Sequence, residues 1–146
     1  MFSYTYDQSH RSIVDKKAAL LQIDHEAIHG TKMAKKRYVT EMGMGVDVHG
    51  SDYTKAAKRA VSDAIRHSSL NFFKALGKSP NDMELIVKIG VAKPDEVNLS
   101  EIAKELPYGS VTVEVLRGGL DVVADEHADK LVMANAAVLV YLTDDD

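Results

Sequence analysis

The chain has 146 residues, 45% of them hydrophobic and 27% charged, which suits one ordinary globular domain with a single core. Its net charge of −4 argues against a general nucleic-acid binder, which needs a basic face to displace counterions from phosphate. There are no cysteines, so disulfides, thiolate zinc sites and cysteine nucleophiles are excluded. No apolar run approaches the ~18 residues that span a bilayer. Met1 to Gln8 lack the basic-then-apolar pattern of a secretory signal. The expected location is the cytoplasm or an organelle stroma or matrix.

Ser12 to Ile28 reads as a helix that Gly30 ends, with Thr31 to Lys36 as a polar connector. It precedes the compact pattern. Residues 1–35 are therefore expected to be an N-terminal helical arm that meets a neighbouring subunit or a protein partner, and residues 36–146 a single α/β domain. From Tyr38 to Val48 the residues alternate as a half-buried strand requires. Tyr38, Thr40, Met42, Met44, Val46 and Val48 fall on one face. Val39, Glu41, Gly43, Gly45, Asp47 and His49 fall on the other. Alternation predicts that the methionine face is packed and that the glycine–acid–histidine face is presented at a cleft.

A helix follows, with Tyr53, Ala56, Ala57, Ala60, Val61, Ala64 and Ile65 at three- and four-residue steps and Ser51 or Asp52 as its N-cap. A short amphipathic continuation around Phe72, Phe73 and Leu76 ends at Gly77. A second strand, Met83 to Ala92, alternates Leu85, Val87, Ile89 and Val91 against Glu84 and Lys88. Asn98 or Ser100 opens a short helix that runs to Leu106. A third strand, Ser110 to Leu116, stops at Gly118-Gly119. A last strand spans Leu131 to Leu142, before an acidic tail, Asp144 to Asp146. This order predicts an α+β fold: a four-stranded mixed sheet with its helices on one face. The bare face then asks for a partner, and self-association supplies it.

The run Gly43-Met44-Gly45-Val46-Asp47-Val48-His49-Gly50 is the sharpest local feature. As a dinucleotide fingerprint it fails, because the third glycine would fall at Val48. As a phosphate loop it fails, because Ser51-Asp52 stand where lysine and Ser/Thr are needed. No nucleotide cofactor is expected. Asp47 and His49 lie about 7 Å apart along a strand, a spacing that suits a shared divalent metal or an oriented imidazole. Gly43, Gly45 and Gly50 would let a small molecule lie on the backbone, and Asp52, Lys55 and Arg59 would meet it at the helix start. Lys88 and Glu114 are expected to join the Asp47/His49 face, as catalysis with Lys88 or as a salt-bridge ladder. Arg66, His67 and the arm histidines His10, His25 and His29 carry little signal.

This run, followed by S-D-Y-T-K-A-A, resembles a conserved hypothetical family of small proteins with a G-x-G-x-D-x-H-G motif, the Lin-type family. The resemblance continues through A-V-S-D-A-I-R-H-S-S-L, V-K-I-G-V-A-K-P and E-L-P-Y-G-S-V-T-V-E-V-L-R-G-G-L, from Lys36 to Leu142. It implies a relative but no reaction. The order of elements is similar to the repeat unit of ring-opening amidohydrolases such as cyanuric acid hydrolase and barbiturase, to trimeric chorismate mutase and to RidA-type deaminases. That similarity implies a homotrimer with sites between subunits, and a hydrolase of cyclic amides as the first enzyme to test. The serine–lysine pairs of those amidohydrolases have no clear counterpart, since only Ser51 and Lys88 could stand for them. Two functions are expected: a hydrolase or isomerase of a cyclic or carbonyl-containing metabolite, with Asp47, His49 and Lys88 catalytic; or a non-catalytic ligand-binding or scaffold oligomer. Neither nucleic acid nor membrane is an expected partner.

Overall fold

The computed structural model describes residues 34–67, 70–123 and 130–143, all within the unit Ala34–Asp146. The expected arm helix and the acidic tail lie outside the described residues. Five strands form one mixed sheet. They are β1 (Lys35–Asp47), β2 (Glu84–Val91), β3 (Ser110–Arg117), β4 (Leu120–Val123) and β5 (Lys130–Thr143). Among the described residues three α-helices accompany them: α1 (Tyr53–Arg66), α2 (Phe73–Leu76) and α3 (Leu99–Ala103). The long strands lie in the order β1-β5-β2-β3, with β2 and β3 parallel and the other pairs antiparallel. The α+β class and the one-sided helical cover match the sequence expectation. The fifth strand, β4, does not appear in it. It takes over the edge of β5 near where β2 stops: Gly90 pairs with Asn135, and Leu120 with Met133.

The core lies between the sheet and α1. Leu85, Val87, Ile89 and Val91 of β2 and Val132, Ala134, Ala136, Val138, Val140 and Leu142 of β5 are all buried there. They meet Ala56, Ala57, Ala60, Val61 and Ala64 of α1, which are also buried. Asp52 caps the helix, its carboxylate accepting from the Lys55 N–H at 2.9 Å. Asn98 caps α3 in the same way, so that helix opens where expected.

The face assignment of β1 is the reverse of the expected one. Met42 is 74% exposed and Met44 52%, whereas Gly45 and Asp47 are buried against α1. The cause is how closely α1 approaches. A Cβ on Gly45 would stand 2.1 Å from the Ala56 carbonyl oxygen and 2.3 Å from the Ala60 nitrogen. A Cβ on Gly43 would stand 2.3 Å from both the Ala60 oxygen and the Ala64 nitrogen. An alanine-faced helix has settled backbone to backbone on a glycine-lined strand, and only the odd positions of β1 can accept it. The methionines are left on the uncovered side, with Ile86, Lys88, Leu116, Met133 and Leu139 on the neighbouring strands.

β1 is an edge strand, and its outer backbone groups are partly occupied. The Met44 N–H donates to Asp63 Oδ2 of α1 at 3.0 Å, and Arg59 of α1 donates to the Val46 carbonyl.

Candidate functional site

The polar residues of the glycine run fall at the end of the sheet where β1 turns into α1. Asp47 is the last residue of β1 and is 1% exposed. Its Oδ2 accepts from the Asp52 N–H at 3.1 Å, closing the turn. Its Oδ1 lies 2.7 Å from Lys55 Nζ and 3.6 Å from Arg59 Nη1, on successive turns of α1. The hydrogen bond from Lys55 outweighs burial and holds the Asp47 carboxyl below the usual carboxylate range. Between these anchors Gly50 has φ +91° and Ser51 φ +54°. Position 50 requires glycine for that conformation.

His49 lies beyond the end of the strand, in this turn, and is exposed. The expectation that it shares a strand face with Asp47 therefore fails, because alternation ends where pairing ends. Lys88 is also displaced from the expected place. It stands on the uncovered face of β2, 3.0 Å from Glu114, while Asp47 faces α1 on the other side. Gly43 and Gly45, expected to bare the backbone for a ligand, are covered by α1 itself. Lys55, Arg59 and Asp52 do gather at this end, engaged with Asp47 and the helix start. Lys55 and Arg59 keep half their side-chain surface in solvent. Among the described residues no group of three or more histidine, aspartate or glutamate side chains is placed to hold a metal ion.

A second polar cluster adjoins the first, and sequence reasoning missed it. Asp47 and Asp121 both pair with Val132 of β5, one from each side. The two acids therefore share the helix-covered face, about 10 Å apart across two strand spacings. Tyr53, in the first turn of α1 and 1% exposed, donates its hydroxyl to Asp121 Oδ2 at 2.5 Å. Lys130 Nζ donates to the same tyrosine oxygen at 2.6 Å and pairs with Asp121 Oδ2 at 2.5 Å. Burial opposes the charge on Asp121. The hydrogen bonds from Lys130 and Tyr53 overcome it and keep the carboxyl below its ordinary range. Those same bonds, from Asp121 first and Tyr53 second, raise Lys130 above the ordinary lysine value. Lys130 and Lys93 also stand over the Tyr53 ring, at 5.1 Å and 5.9 Å from its centroid. Ser51 Oγ reaches the Lys130 carbonyl at 3.3 Å, tying the glycine turn to the start of β5.

Asp47 and Asp121 are thus each matched to a cation, and the turn carrying His49 is fastened from both ends. Chemically, the place offers an exposed imidazole, a partly exposed ammonium fixed by Tyr53 and Asp121, and a half-exposed guanidinium. An open groove of about 480 Å³ continues from it along α1, lined by Lys55, Lys58, Arg59, Glu101 and Glu105 among others.

Residues 37–140 match the family model described as "Conserved hypothetical protein (Lin0512_fam)". A crystal structure of an FtsZ-like protein of unknown function from Nostoc punctiforme is similar at 38% identity, with a TM-score of 0.70. That similarity covers 77% of this chain and 99% of the Nostoc chain. No curated protein matches the sequence.

Proposed function

The chain belongs to the Lin0512 family of conserved hypothetical proteins, and we propose that it is a small-molecule enzyme working at the turn between β1 and α1. The observation that carries the reading is the gathering of polar groups at this turn. Asp47 closes it and is held by Lys55 and Arg59, Lys130 is fixed by Tyr53 and Asp121, and Ser51 ties the turn to the Lys130 carbonyl. His49 is exposed on the same turn. An imidazole can both donate and accept a proton and suits general acid–base work. Lys130, fixed by Tyr53 and Asp121, would face the oxygen of a substrate carbonyl as charge develops there. Arg59 and Lys55 would hold a carboxylate or a second carbonyl. Asp47 acts through the turn as a positioning residue. The reaction is a hydrolysis or isomerisation of a carbonyl-containing or cyclic metabolite, and the site is completed by another subunit of a homotrimer.

The test is a panel of 2-oxo acids and cyclic imides, read by thermal shift and turnover on the wild type, His49→Ala and Lys130→Met. A wild-type hit lost in both variants, with the His49→Ala melting temperature within ~2 °C, supports the reading. A hit unchanged in both variants sinks it. So does a fall of more than ~4–8 °C in His49→Ala, roughly the effect of 1 kcal/mol in a small domain, which would mark a structural histidine.

One observation favours the second reading, a non-catalytic oligomer. The uncovered face of the sheet exposes Met42, Met44 and Leu116, an apolar surface of the kind that binds another protein surface. A stable trimer with no hit from the panel would support it.

A further inference from the structure

At the other end of α1 lies a cavity of about 220 Å³, on the same helix-covered side of the sheet. Leu85, Val138 and Val140 lie buried along it. Ile65 and Leu106 line it as well, and Tyr108, half exposed, stands at its rim. The lining carries one ionisable carboxylate, Glu41. Glu41 pairs with Val138 in the β1–β5 register and so shares its face. It is half-buried, and its carboxylate makes no ion pair or hydrogen bond among the described residues.

The contrast with its neighbours gives this its force. Three acids of the two edge-side strands point toward the helix layer: Glu41, Asp47 and Asp121. Asp47 has Lys55 and Arg59, and Asp121 has Lys130. Among the described residues Glu41 alone of the three lacks a cation, and it is the one that borders this cavity. A carboxylate against apolar walls gains from a positive partner that brings its own apolar surface.

We propose that this cavity binds a small organic cation, an ammonium carried on a compact apolar body, with Glu41 as its counter-ion. The volume corresponds to about seven water volumes of about 30 Å³ each, which limits the ligand to roughly seven to ten non-hydrogen atoms. The walls would enclose the hydrocarbon body and Glu41 would orient the head. This site is separate from the His49 turn, and neither depends on the other.

The probe is phenethylamine, compared with its neutral analogue phenethyl alcohol and its anionic analogue phenylacetate, on the full-length protein. Methyl and amide NMR titration reports both place and affinity. The expected result is saturable shifts at Leu106, Val138 and Val140 with phenethylamine, an affinity at least tenfold weaker for the alcohol, and no binding of phenylacetate. Glu41→Gln should retain the wild-type melting temperature and bring amine and alcohol to equal affinity. Should that variant fail to fold, the wild-type preference for amine over alcohol still decides the matter. Equal binding of amine and alcohol by the wild type, shifts confined to other residues, or no response at millimolar amine would overturn the proposal.

Discussion

Replacing Gly45 by alanine adds one methyl group to the floor on which α1 rests. That methyl would begin 2.1 Å from the Ala56 oxygen, 2.3 Å from the Ala60 nitrogen and 2.8 Å from the Arg59 carbonyl carbon. All three are backbone atoms of a continuous helix, so no side chain can rotate out of the way. Restoring even a 3.4 Å contact moves the helix by about 1.3 Å, the difference between 3.4 Å and 2.1 Å. Such a gap forfeits half or more of the dispersion contact across Ala56, Ala57, Ala60 and Ala64, all of them fully buried. Overpacking of this kind costs about 3 kcal/mol. At ~4 °C per kcal/mol for a domain of this size, the melting temperature should fall by about 12 °C. Calorimetry or circular dichroism at pH 7 measures it. Gly90→Ala is the internal control, since its Cβ would meet atoms at 3.5 to 3.8 Å, ordinary contact, and should cost under ~1 kcal/mol. If Gly45→Ala melts within ~2 °C of the wild type, the glycines do not serve helix contact and a ligand-facing role returns to consideration.

Asp47→Asn should remove stability above pH ~4 and flatten the acid limb of the pH profile. The folded carboxyl is held below the unfolded value of ~3.9, so its contribution is complete above that value and is lost as pH falls through the lower folded one. Melting temperatures of both proteins from pH 6 to 3 should therefore converge toward the acid end, and a constant gap would contradict the assignment. A truncated chain beginning at Ala34 should give a folded far-UV spectrum and a cooperative melt, because the unit Ala34–Asp146 contains the whole sheet and its helices; a featureless spectrum would place residues 1–33 in the core. Light scattering at micromolar concentration should report a homotrimer that Met44→Lys dissociates, since that side chain stands on the uncovered face; a wild-type monomer would end the oligomer argument.

The elements that declare themselves by period were legible. The Tyr53–Ala64 stripe of α1 is buried position for position, and the alternation of Leu85, Val87, Ile89 and Val91 is that of β2. The face of β1 was misjudged because hydrophobicity was counted and size was not. Met42 and Met44 look like core, and glycine looks like absence. The readable sign was the pairing of Gly43 and Gly45 with an alanine-rich helix a few residues on, small against small. The Tyr53–Asp121–Lys130 cluster had no local sign at all. Asp121 and Lys130 lie in a stretch without periodicity, and only the β4–β5 pairing brings them under Tyr53. The run from Gly43 to Gly50, the direct sequence signal, falls at the end of the sheet where the polar clusters of Asp47 and Asp121 gather, and most of its residues shape the turn.

The occupied edge of β1 bears on aggregation. An edge strand with free N–H and C=O groups is a template for another chain's strand. Here Asp63 covers the Met44 N–H and Arg59 the Val46 carbonyl, so that edge resists growth by strand addition. The Asp63 guard is ionic in origin. The Met44 bond is the main reason the Asp63 carboxyl sits below its ordinary range, with His67 assisting from 3.4 Å. Strong acid neutralises that carboxylate, weakens its hold on the N–H and opens one side of β1. Fibril-type assembly of this protein should then begin at low pH and start from β1, and thioflavin fluorescence followed across that pH range, with Asp63→Asn moving its onset toward neutral pH, would trace it to this strand.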